Sequence, residues 1–314
     1  MKKIDIIVPC YNESECVELI YEKLETIFSG ELSAYEWSVI YVDDGSSDDT
    51  LNKIKKIEKM YGKERVRYIS FTRNFGKESA IYAGLENSDG DYVALMDADL
   101  QHPPELLIEM VKVLETENYD CAAARRISRE GEPPVRSFFS SMFYYAINWA
   151  TGIKLVSGMT DYRLMKRSVA QAVVSLKERE RFIKGIYSWV GFNTKWIEYE
   201  NVERAAGKSK WSFSGLWNYA KSGFIAFATT PLRGTVWLGM LVVFAALIYG
   251  IIVLTDALSG KRMWQDTTTI ILLLLFIGGV VITILGVIGE YLARIYLEVK
   301  NRPIYISKET NIKG

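Results

Sequence analysis

The chain of 314 residues contains one histidine and three cysteines. Cys10, Cys16 and Cys121 form no C-x-x-C pair and have no histidine cluster beside them, which argues against a zinc site. So sparse and odd a set fits a reducing compartment, with the thiols simply packed. A charge imbalance is also missing: 38 basic side chains match 38 acidic ones, so nothing marks a general nucleic-acid binder. No G-x-G-x-x-G follows the first apolar strand and no G-x-x-x-x-G-K-[ST] occurs anywhere, against a dinucleotide-dependent enzyme and a P-loop nucleotidase. The N-terminal MKKIDIIVPCYNE reaches polar residues after about five apolar ones, too short for a signal-peptide core. The first domain is therefore expected to stay in the cytoplasm.

What is present divides sharply. To about residue 210 the chain is a charged, mixed sequence of soluble type; beyond residue 234 it turns strongly apolar. Residues 235–254 and 267–289 carry no charged side chain, and twenty or so apolar residues of helix cross a hydrocarbon core of roughly 30 Å. The connection between them carries Lys261 and Arg262, whereas the flanks carry Lys221, Arg233, Arg294, Lys300, Arg302, Lys308 and Lys313. Basic residues mark the cytoplasmic side, so both termini are expected there, with the protein multi-pass in the cell membrane. The expected division is a catalytic domain over 1–210, an amphipathic juxtamembrane segment over 211–233, two spans within 234–292, and a cytoplasmic tail over 293–314. Trp211, Phe213, Trp217, Phe224 and Phe227 give the juxtamembrane segment the aromatic density of an interfacial helix. A second aromatic stretch, Phe138 to Trp149, fits a core helix as well as it fits membrane contact.

The soluble part alternates strand and helix patterns. Apolar runs at Ile4–Val8, Trp37–Val42, Val66–Phe71 and Tyr92–Met96 are separated by helical stretches, which predicts a mostly parallel α/β sheet with helices on both faces. In such sheets ligands bind beyond the carboxyl ends of the strands. Three of the four runs end in polar clusters: PCYNE, DDGSSDDT and DADLQ. Asp97 and Asp99 bracket Ala98 at the end of the fourth run, and hard carboxylate oxygens of this kind suit Mg²⁺ or Mn²⁺ bound together with substrate phosphates. A divalent ion stabilises the charge that develops on a leaving diphosphate. Asp44 can accept hydrogen bonds from a base or ribose, with Pro9 and Tyr11 framing the base; the DDGSSDDT cluster also reads as a helix-capping turn. Candidates to neutralise phosphate are Arg126, Arg129 and the segment from Arg204 to Lys210, in which Gly207 gives freedom to fold over a ligand. The same segment reads equally as a basic stripe for anionic lipid, with Lys208 undecided and Lys210 favouring phosphate.

The ordered motifs VPCYNE, VDDGSSDDT, FTRNFGKESA, DADLQHPPE, DYRLM at Asp161 to Met165, and RAAGKSKW resemble the family-2 glycosyltransferases of GT-A fold, specifically those that glycosylate polyprenyl phosphates. The two-span tail ending GEYLARIYLEVKNRPIY is similar to the bacterial bactoprenol branch, so the resemblance covers nearly the whole chain. It implies that Pro9, Tyr11, Glu13, Asp43 and Asp44 hold the nucleoside with Lys77 close by. It further implies that Asp97, Ala98 and Asp99 meet the metal and diphosphate with Gln101 as an added ligand, that Arg126, Arg204 and Lys210 lie near the phosphates, and that Asp161 acts near the acceptor. Ser157 to Thr160 depart from the pattern, since relatives often carry another acidic residue or a glycine there.

The implied reaction is inverting transfer of a hexose, glucose from UDP-glucose as the leading candidate, to undecaprenyl phosphate for cell-envelope glycosylation, and the spans can associate into a homo-oligomer. Two alternatives are kept. A processive polysaccharide synthase shares the catalytic fold but carries QxxRW and more spans, and no QxxRW is present. A non-catalytic nucleotide-sugar-binding membrane scaffold would not need an intact DADLQ.

Overall fold

A computed structural model describes residues 1–127, 148, 151, 155–179, 181–199, 230–259 and 267–312. Arg129, Arg204, Gly207, Lys208, Lys210, the aromatics at 138–147, the juxtamembrane residues 211–229 and the basic pair at 261–262 lie outside these. The chain divides into two units, Met1–Ala226 together with Pro303–Gly314, and Phe227–Arg302.

The first unit is built on a sheet of eight strands: β1 (Lys3–Cys10), β2 (Glu36–Asp43), β3 (Val66–Phe71), β4 (Tyr92–Leu95), β5 (Cys121–Arg126), β6 (Met159–Lys166), β7 (Thr194–Tyr199) and β8 (Ser307–Thr310), in the order β7-β5-β6-β4-β1-β2-β3-β8. The block β4-β1-β2-β3 is parallel, as its strand–helix alternation predicts. β5 and β7 are parallel to each other, while β6 runs antiparallel to both its neighbours and β8 antiparallel to β3. The sheet is therefore mixed, which the alternation in the first half did not disclose.

Four helices follow the first four strands: α1 (Val17–Ser29), α2 (Thr50–Tyr61), α3 (Lys77–Glu86) and α4 (Leu106–Thr116). Successive strand residues point to opposite faces. Ile4, Ile6 and Val8 of β1 join one cluster with Ile20 and Leu24 of α1, Ile54 and Ile57 of α2, and Leu107 and Met110 of α4. Ile7 points the other way, against α3, where Gly84 leaves room for it: a Cβ there would collide with the Ile7 side chain. Both faces are thus covered, and β2 reads as an almost unbroken buried run because a central parallel strand has no solvent side. α5 (Arg167–Ser175) packs beside α3, and α6 (Ile183–Trp189) leads into β7.

The second unit consists of α7 (Thr230–Leu258) and α8 (Thr267–Val299), which pack against each other. Stretches of both, Gly234–Ile252 and Phe276–Val299, are long and apolar enough to cross a membrane, and neither is buried within the protein. The sequence places the end of the second span at residue 289, yet the helix runs on to Val299. No proline or glycine interrupts residues 290–299, and Glu290 pairs with Arg294 one turn on at 3.7 Å. The turn that stops it has Asn301 in a left-handed conformation (φ 44°), two residues ahead of Pro303.

The tail expected over 293–314 is not a separate segment. Residues 293–299 complete α8, and β8 is part of the sheet in the first unit.

Candidate active site

The strands of the parallel block share register, so their carboxyl ends form one rim: Cys10 is level with Asp43, and Ile7 with Leu95. The loops leaving that rim are laced together. The Asn12 amide donates to Ser46 Oγ at 2.9 Å, Glu13 to Thr50 Oγ1 at 2.9 Å and Ser47 to Asn12 Oδ1 at 2.8 Å. Pro9 is half-buried at the end of β1 and Tyr11 is 38% exposed just beyond it.

Asp43 and Asp44 are both buried, and their carboxylates face inward. Asp43 accepts from the Ser46 amide at 3.0 Å and the Ser70 hydroxyl at 2.7 Å. Asp44 accepts from the amides of Phe75 (2.6 Å) and Gly76 (2.9 Å), tying the β2–α2 loop to the β3–α3 loop. Burial pushes the Asp44 carboxyl up to about 6, with those two amides opposing the shift. Gly45 is required at this crossing: its φ is +68° and a Cβ would lie 2.5 Å from the backbone carbon of Arg73.

The antiparallel pairing of β6 with β4 creates the centre of the rim. Leu95 faces Arg163, so continuing the register brings Asp97 opposite Asp161. Two carboxylates at that spacing repel, and the ammonium of Lys77, the first residue of α3, lies between them, 2.7 Å from Asp97 Oδ1 and 2.7 Å from Asp161 Oδ2. Desolvation works against ionisation of Asp97, yet Lys77 and then His102 outweigh it and hold this carboxyl well below the usual carboxylate range. Asp161 is lowered against the same desolvation penalty by Lys77 and then Lys184. For Lys77 burial disfavours the charge, and the two aspartates raise its affinity for the proton above the ordinary lysine value. All three groups are therefore charged at neutral pH. Asp161 Oδ1 is buried with no hydrogen-bond partner among the described residues. A carboxylate oxygen left in that condition costs free energy, and buried polar groups of this sort mark places where a ligand completes the bonding.

Asp99 lies two residues on, half-buried, where it accepts the Gln101 amide at 3.2 Å; Gln101 thus enters through its main chain. Leu100 between them has φ 54°, which turns the chain back at this point. No group of three or more His, Cys, Asp or Glu side chains that could enclose a metal occurs among the described residues. Asp97 and Asp99 fit a different mode: Mg²⁺ and Mn²⁺ are commonly held by one or two carboxylates and by substrate phosphate and water for the remainder. Arg126 ends β5 level with Tyr199 of β7, and its amide donates to the Gly158 carbonyl at 2.9 Å.

Several residues stand here that motif reading missed. His102, dismissed as a zinc ligand for want of partners, has Nε2 3.8 Å from Asp97 Oδ2 and Nδ1 hydrogen-bonded to the Tyr199 hydroxyl at 2.6 Å. Its position directly after DADLQ was the available signal. Glu78 accepts the Ile183 amide at 2.9 Å, and burial followed by the charge of Asp161 pushes its carboxyl up to about 7. Arg163 is buried in β6, donates to the carbonyls of Thr160 (3.1 Å) and Asp161 (3.3 Å), and stacks over the Tyr187 ring at 3.5 Å, pinning the backbone that carries Asp161. Lys184, on α6, had no sequence signal, because only tertiary packing brings it to Asp161.

The acidic rim bridged by a lysine lies beyond the carboxyl ends of β1, β2 and β4, where ligands bind in open α/β sheets. Comparison with known proteins gives the family. Residues 5–174 match the model for glycosyl transferase family 2, and residues 230–295 match that for the GtrB C-terminal hairpin. The CsbB protein of Bacillus subtilis (strain 168) is 46% identical over 98% of this chain and 92% of its own length. The SfII prophage-derived bactoprenol glucosyl transferase of Shigella flexneri is 37% identical over 98% of both chains, and the bactoprenol glucosyl transferase of Shigella phage SfV 36% identical over 99% of this chain and all of its own. The chain belongs to glycosyl transferase family 2. It is a glycosyltransferase, and its apolar hairpin associates it with a membrane.

Proposed function

We propose that this enzyme transfers a hexose, with glucose from UDP-glucose as the leading candidate, to the phosphate of a polyprenyl phosphate at the cytoplasmic face of the cell membrane. The observation that carries the reading is the facing pair Asp97 and Asp161, bridged by Lys77, with one oxygen of Asp161 buried and without a hydrogen-bond partner among the described residues. The lipid acceptor is supported by relatives named as bactoprenol glucosyl transferases that match the chain end to end, apolar hairpin included. A polyprenyl chain leaves the bilayer at a cost of about 0.8 kcal/mol per CH₂, so the enzyme has to come to its acceptor. The excess of basic residues on the flanks of the hairpin supports a cytoplasmic rim and cytoplasmic termini.

In the proposed reaction an acceptor phosphate oxygen attacks the anomeric carbon in line. The new carbon–oxygen bond forms as the bond to the diphosphate breaks, its electron pair leaving with the diphosphate, so the anomeric configuration inverts. A phosphate monoester with a second pKa of about 6 is already largely ionised at neutral pH, and little general-base assistance is needed. Asp161 therefore orients acceptor or sugar through Oδ1, the oxygen that Lys77 does not hold. Tyr11 and Pro9 frame the base, Glu13 adds an acceptor for the nucleoside, and Arg126, Arg204 and Lys210 offer cations for the phosphates. Asp97 and Asp99, with Gln101 beside them, would hold Mg²⁺ or Mn²⁺, which when bound neutralises the leaving diphosphate. Lys77 is near enough to add a fixed positive charge to the same group.

The test is incubation of the purified full-length protein in detergent with labelled nucleotide sugars and undecaprenyl phosphate, with and without Mg²⁺, and separation of the products. A lipid carrying one sugar is expected, formed only with the ion, with Asp97→Asn lowering the rate at least a thousandfold while the protein stays folded. A polymeric product, or an unchanged rate for Asp97→Asn, would sink the proposal.

A further inference from the structure

The residues that follow the second apolar helix return to the sheet of the first unit, meeting β3 at its carboxyl end and running back along its outer edge. β8 pairs with the outer edge of β3, from Ile69↔Thr310 to Phe71↔Ser307. Past the end of that ladder the Thr72 amide donates to the Ile306 carbonyl at 3.1 Å. At the far end the Asn311 side chain pairs with two main-chain groups of the edge: the Tyr68 amide donates to its Oδ1 at 2.8 Å, and its Nδ2 donates to the Val66 carbonyl at 2.9 Å. Lys55 of α2 pairs with Glu309 at 2.7 Å. An open strand edge is thereby closed from within the chain.

Tyr305 does more than close an edge. Its ring stacks on Phe71, the last residue of β3, with centroids 4.9 Å apart. Its hydroxyl donates to Glu86 Oε2 at 2.8 Å and accepts from Asn87 Nδ2 at 3.2 Å, both at the end of α3. This one side chain thus grips the strand that enters the β3–α3 loop and the helix that leaves it. The loop between, residues 72–76, is the one whose Phe75 and Gly76 amides hold Asp44 and which hands the chain to Lys77. Phe71 passes the contact along, since its ring meets Phe75 edge-on at 5.7 Å.

We propose that residues 303–312 are a built-in buttress for the β3–α3 loop, and that Tyr305 is a positioning residue for nucleotide-sugar binding. The second part rests on the rim being the nucleotide-sugar site proposed above. Tyr305 touches no substrate; it acts by holding the loop whose amides fix Asp44 and whose end sets Lys77. In a membrane-associated enzyme this makes the segment just after the apolar hairpin a part of the catalytic unit.

The test compares the full-length wild-type protein with Tyr305→Ala and Tyr305→Phe by amide hydrogen exchange, by UDP binding in calorimetry with Mg²⁺, and by kcat at saturating nucleotide sugar. Tyr305→Ala is expected to speed exchange of the amides at 72–76 at least tenfold, with other strands of the first unit unchanged, and to weaken UDP binding five- to tenfold while kcat stays within about twofold. Tyr305→Phe keeps the stack and loses the two hydroxyl bonds, so its effects are expected to be intermediate; it also serves if the alanine variant does not fold. Unchanged exchange at 72–76, or faster exchange spread evenly over the whole sheet, would overturn the buttress. A wild-type protein that binds no UDP overturns the positioning role together with the nucleotide-sugar reading. UDP binding without sugar transfer refutes only the proposed reaction, and the exchange and binding differences then still support the buttress.

Discussion

The two rims of the central sheet each bury a carboxylate among basic groups, and they treat it differently. At the amino rim Asp5 of β1 is fully buried, with Oδ1 accepting from the Ser38 hydroxyl at 2.7 Å and lying 2.5 Å from the Arg67 guanidinium. Its Oδ2 accepts from the amides of Asp89 (2.7 Å) and Gly90 (2.8 Å). Both oxygens are occupied by groups of the protein itself. At the carboxyl rim Asp161 has one oxygen on Lys77 and the other buried without a partner among the described residues. Asp5 is fully buried and the Asp161 side chain is 14% exposed, and the two also differ in whether the fold has used up their acceptors. A closed network stabilises; an open one is free to take a ligand.

Three measurements can break or sharpen that contrast. Asp5→Ala is expected to have the largest effect, a loss of about 4 kcal/mol, because it removes one of the two carboxylates that hold the mostly buried Arg67 cation and leaves the Ser38 hydroxyl and the Asp89 and Gly90 amides without their acceptor. Unfolding of the full-length protein in detergent would read this, and the molecules that remain folded should transfer sugar at the wild-type rate. A cost under about 1 kcal/mol would mean the amino rim is not a closed structural network. Asp161→Asn should do the reverse: about a hundredfold off kcat with stability within about 1 kcal/mol of wild type, since it removes a charge whose bonding was incomplete. Wild-type turnover would refute the orienting role.

The smallest effect is a pH dependence. The Glu78 carboxyl has its pKa raised from 4.5 to about 7, so between those values the folded protein binds more protons than the unfolded chain. Stability contributed by this group is therefore greatest at low pH, falls as pH rises through that window, and is level above it. Glu78→Gln should flatten the fall, which spans on the order of 2 kcal/mol, in denaturation curves taken from pH 4.5 to 7.5. An identical slope in the variant would remove Glu78 from the set of strained groups at the carboxyl rim.

Much of the carboxyl rim was legible beforehand, because a parallel strand announces itself as a short apolar run and its end as the first polar cluster. Asp43, Asp44, Asp97 and Asp99 could be named that way. The inward aim of Asp43 and Asp44 could not be read, since the Ser70 hydroxyl that meets the one and the Phe75 and Gly76 amides that meet the other are brought there by the packing of β3 and the loop after it. His102 carried a signal by adjacency to DADLQ, but its meaning came from Tyr199, far along the chain. Lys184 carried none.

The amino-acid sequence by itself determined the local elements and the chemistry available to them: strands buried on both faces, carboxylates where those strands stop, and two helices too apolar for water. These follow from the periods of strand and helix and from the cost of exposing apolar surface, which act over a few residues at a time. Only the tertiary structure decided that β6 would run antiparallel to β4 and so set Asp161 against Asp97 across Lys77, and that the last strand would come back to brace β3. Both are pairings between segments distant in sequence, and register between such segments is settled by which surfaces can be buried together.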